Sequence, residues 1–202
     1  MENVQNSWST VTQGIYKAVL IYVCCGIASA LFSAFGSAGD AADAFSGDMV
    51  GAVTWGIWDI LGLIATIGVI AGYFLFYSGL NKWKDLVDGN DAVAVNRLRL
   101  AALLTMIGCV IAYIPAVGTI ASAILSLIAL VLMILGYSAL KQSTTLREGA
   151  RVGASKLYTA QILSIIAIVI AWIPIIGWIA SPILSIIAFF KMLGGWKAIA
   201  NS

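Results

Sequence analysis

The chain has 202 residues, of which 61% are hydrophobic and 10% charged, and its formal net charge is +2. Soluble domains carry about 25% charged residues, so a water-soluble fold is excluded and a lipid bilayer is the expected solvent. The small net charge gives no footprint for nucleic acid. The absence of histidine removes the commonest general base and metal ligand.

Six apolar segments follow one another along the chain, and each is near the roughly 20 residues that a helix needs to cross a bilayer. Their polarity does not alternate from residue to residue, as it would in the strands of a membrane β-barrel. We therefore predict an all-α, polytopic membrane protein. The predicted helices are Gly14–Phe35, Gly51–Leu80, Ala94–Ile114, Val117–Leu140, Leu157–Ile173 and Ile175–Ala198, preceded by a polar segment, 1–13.

The three cysteines all fall inside apolar segments. Cys24 and Cys25 are neighbours in the first predicted helix, and Cys109 is in the third. A redox or metal pair is the alternative interpretation, but the chain has no CxxC spacing and no second cluster of ligands. We predict buried, unreactive thiols, with neither a metal nor a cofactor.

The segment Gly36–Gly51 is predicted to be the long outer loop of the protein. It contains Asp40, Asp43 and Asp48, whose spacing differs from the alternating acids and closing glutamate of a calcium loop. A solvated loop and a contact with a partner protein are both open interpretations, ahead of a metal site.

Two charged residues lie within predicted helices. Asp59 is between Trp58 and Ile60 near the outer interface, where it is either a cation or proton site or a wet carboxylate at headgroup depth. Lys191 is about two turns from the inner end of the last helix. It either pairs with an anionic group or extends its ammonium to the headgroups.

Small residues recur at helical spacing on the predicted helices. Gly68 and Gly72 are one turn apart on the second helix. Such ridges let neighbouring backbones approach closely in lipid, so we predict that these small residues have a packing role.

An internal repeat is the strongest pattern in the sequence. Leu98–Ala129 and Leu157–Ala188 are identical at 18 of 32 positions, 59 residues apart. Apolar bias alone would not bring Pro115 and Pro174 into register. In both copies the sequence Ile-Pro-x-x-Gly predicts a tight turn, because proline stops the preceding helix and glycine permits a positive φ.

A fainter copy precedes these two. Tyr77–Leu80 matches Tyr137–Leu140 at a spacing of 60. A fixed period indicates one supersecondary unit used several times. We predict three parallel helical hairpins in a single transmembrane domain, over about 14–81, 94–141 and 155–199.

Charge predicts the orientation. Lysine and arginine gather at one set of predicted helix ends, which the positive-inside rule places in the cytoplasm with both termini. The basic residues at those ends are Lys17, Lys82, Lys84, Arg97, Arg99, Lys141, Arg147, Arg151, Lys156 and Lys197. Tryptophans predict an aromatic belt at each interface. Trp55, Trp58, Trp172 and Trp178 would form the outer belt, and Trp8, Trp83 and Trp196 the inner one.

The sequence gives no catalytic constellation. The serines of the later helices have no histidine, lysine or acid near them. We expect a non-enzymatic protein of a bacterial inner membrane, an accessory or structural subunit that packs against another membrane protein or itself. The alternative is a small channel or transporter for an ion or solute, with a path between the hairpins and Asp59 near its outer mouth.

Overall fold

The computed structural model describes residues 2–46, 56–112, 114, 117–173 and 176–202, with side chains for 7–32, 35–36, 56–112, 114, 117–173 and 180–202. In these ranges the protein is all-helical, and its six helices are each long and apolar enough to cross a membrane. The helices are α1 (Glu2–Ser46), α2 (Ile57–Lys84), α3 (Gly89–Ile111), α4 (Gly118–Lys141), α5 (Glu148–Ala171) and α6 (Ile176–Ala200).

Helix α1 is longer than predicted at both ends. It begins at Glu2, within the segment predicted to precede the first helix, and it continues to Ser46. The prediction of a loop from Gly36 is therefore wrong as far as Ser46. The residues from Gly36 to Ser46 include no proline and several alanines, so nothing in the local chain forces the helix to stop.

The chain forms two compact units. Unit 1 comprises Met1–Val19 and Tyr73–Ser202, and unit 2 comprises Leu20–Gly72. Helices α1 and α2 each contribute to both units, whereas α3 to α6 belong to unit 1.

In unit 2, α1 and α2 approach closely at glycines. A Cβ on Gly72 would lie 2.6 Å from the backbone N of Tyr22, and one on Gly68 would lie 2.6 Å from the Cys25 sulfur. These distances are far below van der Waals contact, and at Gly72 the obstructing atoms include backbone, so only glycine fits there. The close approach predicted from the small residues of the second helix is confirmed.

In unit 1, α3 packs on α4, α4 on α5, and α5 on α6. In the described part of this unit, one glycine near the end of each of α2, α4 and α6 receives an aliphatic side chain from another helix. A Cβ on each glycine would overlap that side chain. The pairs are Gly79 with Ile15 at 2.6 Å, Gly136 with Leu98 at 2.6 Å, and Gly195 with Leu157 at 2.7 Å.

Each of these glycines is followed by two core residues, one directly after it and one three residues further along the helix. All six side chains are 2% exposed or less: Leu80 and Trp83, Tyr137 and Leu140, Trp196 and Ile199. They lie near the end of unit 1 that we call the basic end, formed by the α2–α3 loop (85–88), the α4–α5 loop (142–147), Ser202 and the first turns of α1.

The predicted inner tryptophan belt is wrong. Trp8, Trp83 and Trp196 are at most 6% exposed. Trp83 packs edge-on against both Trp8 and Trp196, with ring centroids 5.9 Å apart in each pair, and Tyr137 and Phe76 also pack on Trp196. The rings face one another because α1, α2, α4 and α6 converge at this end of the unit. We call these five residues the aromatic cluster.

The predicted outer belt has a different outcome. Trp58 and Trp172 are exposed, Trp172 by 86%. Trp55 lies outside the described residues, and the side chain of Trp178 lies outside the described side chains.

Gly118 begins α4, but for a different reason from the predicted one. Among the described glycines only Gly89 has a positive φ, of 57°. A Cβ on Gly118 would overlap the carbonyl oxygen of Ile111. Glycine is therefore required here because the end of α3 closes on the start of α4.

The thiols are free, but they are less buried than predicted. Cys25 and Cys109 are half-buried, whereas Cys24 is exposed on the surface of α1. The prediction of burial is wrong for Cys24, whose side chain is one of many apolar groups that the helices leave uncovered.

Candidate functional site

The basic end of unit 1 carries a hydrogen-bonded connection between two loops that are distant in sequence. Asp91, in the first turn of α3, is 5% exposed. Its Oδ2 accepts hydrogen bonds from the Ser143 hydroxyl at 2.7 Å and the Thr145 hydroxyl at 2.6 Å. Ser143 Oγ in turn accepts from the backbone N–H of Thr145 and Leu146. These bonds satisfy Oδ2 of the buried carboxylate and tie α3 to the α4–α5 loop.

A cavity of about 470 Å³ opens beside this connection, and we call it the loop cavity. It is lined by the first turns of α3 and the end of α4 with its following loop. Most of its lining side chains are polar: Asp88, Asn90, Asp91, Arg97, Gln142, Ser143, Thr144 and Thr145. Its volume is in the range of small-molecule sites.

Two of the three charged side chains that line the loop cavity, Arg97 and Asp88, lack partners among the described residues. Arg97 is half-buried, and no hydrogen bond, ion pair or ring contact joins it to a described side chain. Asp88 precedes α3 as its N-cap residue, yet its side chain makes no capping hydrogen bond. The first N–H groups of a helix have no intrahelical partner, and the first two residues of α3, Gly89 and Asn90, both line the cavity.

A second cavity of about 350 Å³ lies between the start of α1 and the last residues of the chain. Its charged group is engaged. The guanidinium of Arg147 donates to the Ser202 carbonyl oxygen at 2.7 Å and lies 5.1 Å from the ring centroid of Trp8. Arg147 therefore connects the α4–α5 loop to both the first helix and the last residue.

The two cavities use residues that are 59 positions apart. Asp88 and Arg147 precede α3 and α5, and Ser143 and Ser202 follow α4 and α6. At the loop cavity, residues around the start of α3 meet residues that follow α4. At the second cavity, Arg147, just before α5, meets residues that follow α6. The cationic group at the second cavity, Arg147, bonds within the protein, whereas no residue in the described ranges engages Arg97 at the loop cavity.

Asp59 lies in the first turn of α2 and is half-buried. Its Oδ2 accepts a hydrogen bond from the backbone N–H of Gly56 at 2.9 Å. This is the bond that an acid at the third helical position makes in a capping box. The structure thus places Asp59 at the end of a helix and gives its carboxylate a local partner.

Of the other predicted site residues, Lys191 is the one whose side chain the structure describes. Lys191 is exposed on α6. Asp40 and Asp43 lie in α1, where their side chains are outside the described ones, and Asp48 is outside the described residues altogether.

Polar groups inside the apolar helices bond locally or to a neighbouring helix. In unit 2 the Ser29 and Thr66 hydroxyls are 2.9 Å apart, and Thr66 also donates to the Gly62 carbonyl oxygen. In unit 1 the buried Gln161 amide lies 3.7 Å from the Met133 sulfur. These contacts join helices together.

No group of three histidine, cysteine, aspartate or glutamate residues converges within the described part of the chain. At the basic end, hydroxyls, amides and charges of both signs surround a cavity, which suits recognition of a polar group.

Sequence reasoning missed the connection between Asp91 and Ser143. In the sequence, Asp91 is one of several charged residues in a short loop that carries both signs of charge. Ser143 follows shortly after a predicted helix. An acid in the first turn of a helix and a run of hydroxyl residues were the available signals. Neither signal identifies a partner 52 residues away.

Comparison with protein-family models, curated proteins and solved structures gives no match to this sequence or fold.

Proposed function

We propose that the chain is a non-enzymatic integral membrane protein, an accessory or structural subunit that packs within a larger membrane complex or against copies of itself. One observation carries this proposal. Only 11% of the most apolar window of α4 is buried by the rest of the chain. Apolar surface on this scale has to be covered by lipid or by another protein.

The uncovered surface of α4 is continuous along the helix. Its exposed large side chains recur every three to four residues: Ile120, Ile124, Leu127, Ile128, Val131 and Leu135. This spacing describes one face of a helix. We propose that a partner helix, from another protein or a second copy, covers part of this face in the membrane.

We propose that the chain is built from three parallel hairpins. The glycine contacts support the idea, since Gly136 with Leu98 and Gly195 with Leu157 are the same contact 59 residues apart. Gly79 with Ile15 is the corresponding contact of the first hairpin. By this contact Gly79 corresponds to Gly136, which is 57 residues later. The match of Tyr77 with Tyr137 in the sequence gives a spacing of 60, so the two alignments differ by three residues.

The proposed orientation has both termini in the cytoplasm of a bacterial cell and the basic end at the inner face of its membrane. Clustered lysine and arginine support it through the positive-inside rule. Single cysteines at Asp43 and at Thr144, in a background without the native cysteines, test it with an impermeant maleimide added to intact cells. Labelling at Asp43 alone is expected, and labelling at Thr144 alone would reverse the orientation.

Purification under mild detergent tests the accessory role. A stoichiometric complex or a defined homo-oligomer, without ion or solute flux in liposomes, is the expected result. A channel or transporter remains the alternative, with Asp59 at its mouth. Flux that disappears in Asp59→Asn but persists in Asp85→Asn would replace the accessory role with transport.

A further inference from the structure

The loop cavity presents a cation and an anion that no described residue engages. Arg97 offers five N–H donors in a fixed planar arrangement, and no described side chain accepts them. The side chain of Asp88 is exposed and caps nothing. Arg147, the cation that lines the second cavity, is in contrast occupied by the Ser202 carbonyl and the Trp8 ring.

The charges of the lining restrict the ligand. Two aspartates and one arginine line the cavity, so the formal charge of the wall is −2 + 1 = −1. A simple anion would meet Arg97 favourably but would also meet the carboxylates of Asp88 and Asp91. A simple cation would leave the guanidinium without a partner. A group that carries both charges satisfies both requirements.

We propose that the loop cavity binds a phosphoethanolamine group. Its phosphate would accept hydrogen bonds from Arg97 and from the free N–H groups at the start of α3, where the helix dipole also favours an anion. Its ammonium would donate to the carboxylate of Asp88. Asp91 would stay bonded to Ser143 and Thr145 and shape the wall.

Two sources share this chemistry: the headgroup of phosphatidylethanolamine and free phosphoethanolamine. The position of the cavity favours the lipid. The cavity lies beside the ends of α3 and α4, which are apolar enough to cross a membrane. Binding of the lipid headgroup depends on the membrane insertion that is part of the proposed function, whereas binding of free phosphoethanolamine does not.

The first experiment measures lipid retention. The protein is assembled in nanodiscs with equal amounts of phosphatidylethanolamine, phosphatidylcholine and phosphatidylglycerol, and the lipids that stay bound after extraction are counted by native mass spectrometry. Selective retention of phosphatidylethanolamine is expected. A trimethylated ammonium cannot donate a hydrogen bond to Asp88, so phosphatidylcholine should be retained less. Equal retention of the two zwitterionic lipids, or preference for phosphatidylglycerol, overturns the proposal.

Variants assign the effect to the cavity. Arg97→Gln and Asp88→Asn should each lower retention of phosphatidylethanolamine about tenfold, the loss expected for one charged hydrogen bond. Lys156→Gln is the matched control. It removes the same charge from an exposed position on α5, 59 residues after Arg97, and should retain the lipid as the wild type does. Unchanged retention in both cavity variants contradicts the proposal.

Two further readouts separate the possible failures. Asp88→Asn alters an exposed loop side chain, so its unfolding temperature should match the wild type even if Arg97→Gln unfolds more easily. Calorimetric titration of the detergent-solubilised protein with free phosphoethanolamine tests the cavity without a bilayer. A chain that does not enter nanodiscs yet binds the free compound would refute the membrane role and retain the site. Insertion without either form of binding would refute the site alone.

Discussion

Leu157 of α5 occupies the space that a side chain on Gly195 of α6 would need. A Cβ on Gly195 would lie 2.7 Å from the Leu157 Cγ and 2.9 Å from the Gly153 carbonyl oxygen. The adjacent Gly194 has nothing within 4 Å of its Cβ position. Two neighbouring glycines of one helix thus have opposite surroundings, which makes them a direct test of the packing.

Gly195→Ala should destabilise the protein by about 1–3 kcal/mol, because the new methyl group meets backbone that cannot move aside. Gly194→Ala should be neutral or stabilising by up to about 1 kcal/mol, since alanine is the better helix former and has room. Denaturation of the purified protein in mixed detergent micelles, followed by circular dichroism, measures both. Equal stability of the two variants would show that α5 and α6 do not pack in this way.

Asp91→Asn should destabilise the protein by about 1.5–3 kcal/mol, because two hydroxyls lose a charged acceptor at a buried position. Ser143→Ala removes one of the same bonds, so the double variant should lose less than the sum of the single losses, with a coupling of about 0.5–3 kcal/mol. Asp85→Asn, in the same region but exposed, is the control and should leave stability unchanged. Additive losses from Asp91 and Ser143 would argue against the contact.

Trp83→Ala should cost about 3–5 kcal/mol, as expected for removing a fully buried aromatic ring. Trp172→Ala should change stability by less than about 0.5 kcal/mol, because that side chain is 86% exposed. Chemical denaturation of the two variants compares them directly. If Trp83 were an interfacial residue in contact with lipid headgroups, the two losses would be similar.

Arg147→Ala should destabilise the basic end by about 1–2 kcal/mol, because it removes a charged hydrogen bond to Ser202 and a cation–π contact with Trp8. Arg147→Lys keeps the charge but loses the planar group, so it should recover only part of that loss. Hydrogen exchange over the first turns of α1 reports the local effect and should accelerate in Arg147→Ala. Lys197→Ala, at an exposed position of α6, should leave that exchange unchanged.

The tryptophans show where a sequence pattern can mislead. Trp8, Trp83 and Trp196 each fall near the basic end of a helix, which is where an interfacial belt would lie. The same positions are where the helices of unit 1 converge and bury their side chains. Position along a helix was therefore predictable, but the direction of the ring was not, because direction depends on which neighbour the helix meets.

The candidate site was the least predictable part. Asp59 is conspicuous because an acid inside an apolar segment is rare, yet the structure places it in the first turn of α2 with Gly56 as its partner. Asp91 and Arg97 are inconspicuous, because charges are common near helix ends. Their surroundings arise from the α4–α5 loop, which is more than 40 residues away in sequence.

The amino-acid sequence by itself determined that the chain forms six long apolar helices, because the length and polarity of a segment decide whether it can satisfy its backbone inside lipid. It also determined where glycine would admit a neighbouring helix, as at Gly68 and Gly72. Only the tertiary structure decided that Trp83 is buried, that Asp91 binds Ser143, and that Gly195 receives Leu157. Those outcomes depend on the relative placement of helices that are distant along the chain, and no local pattern of residues contains that information.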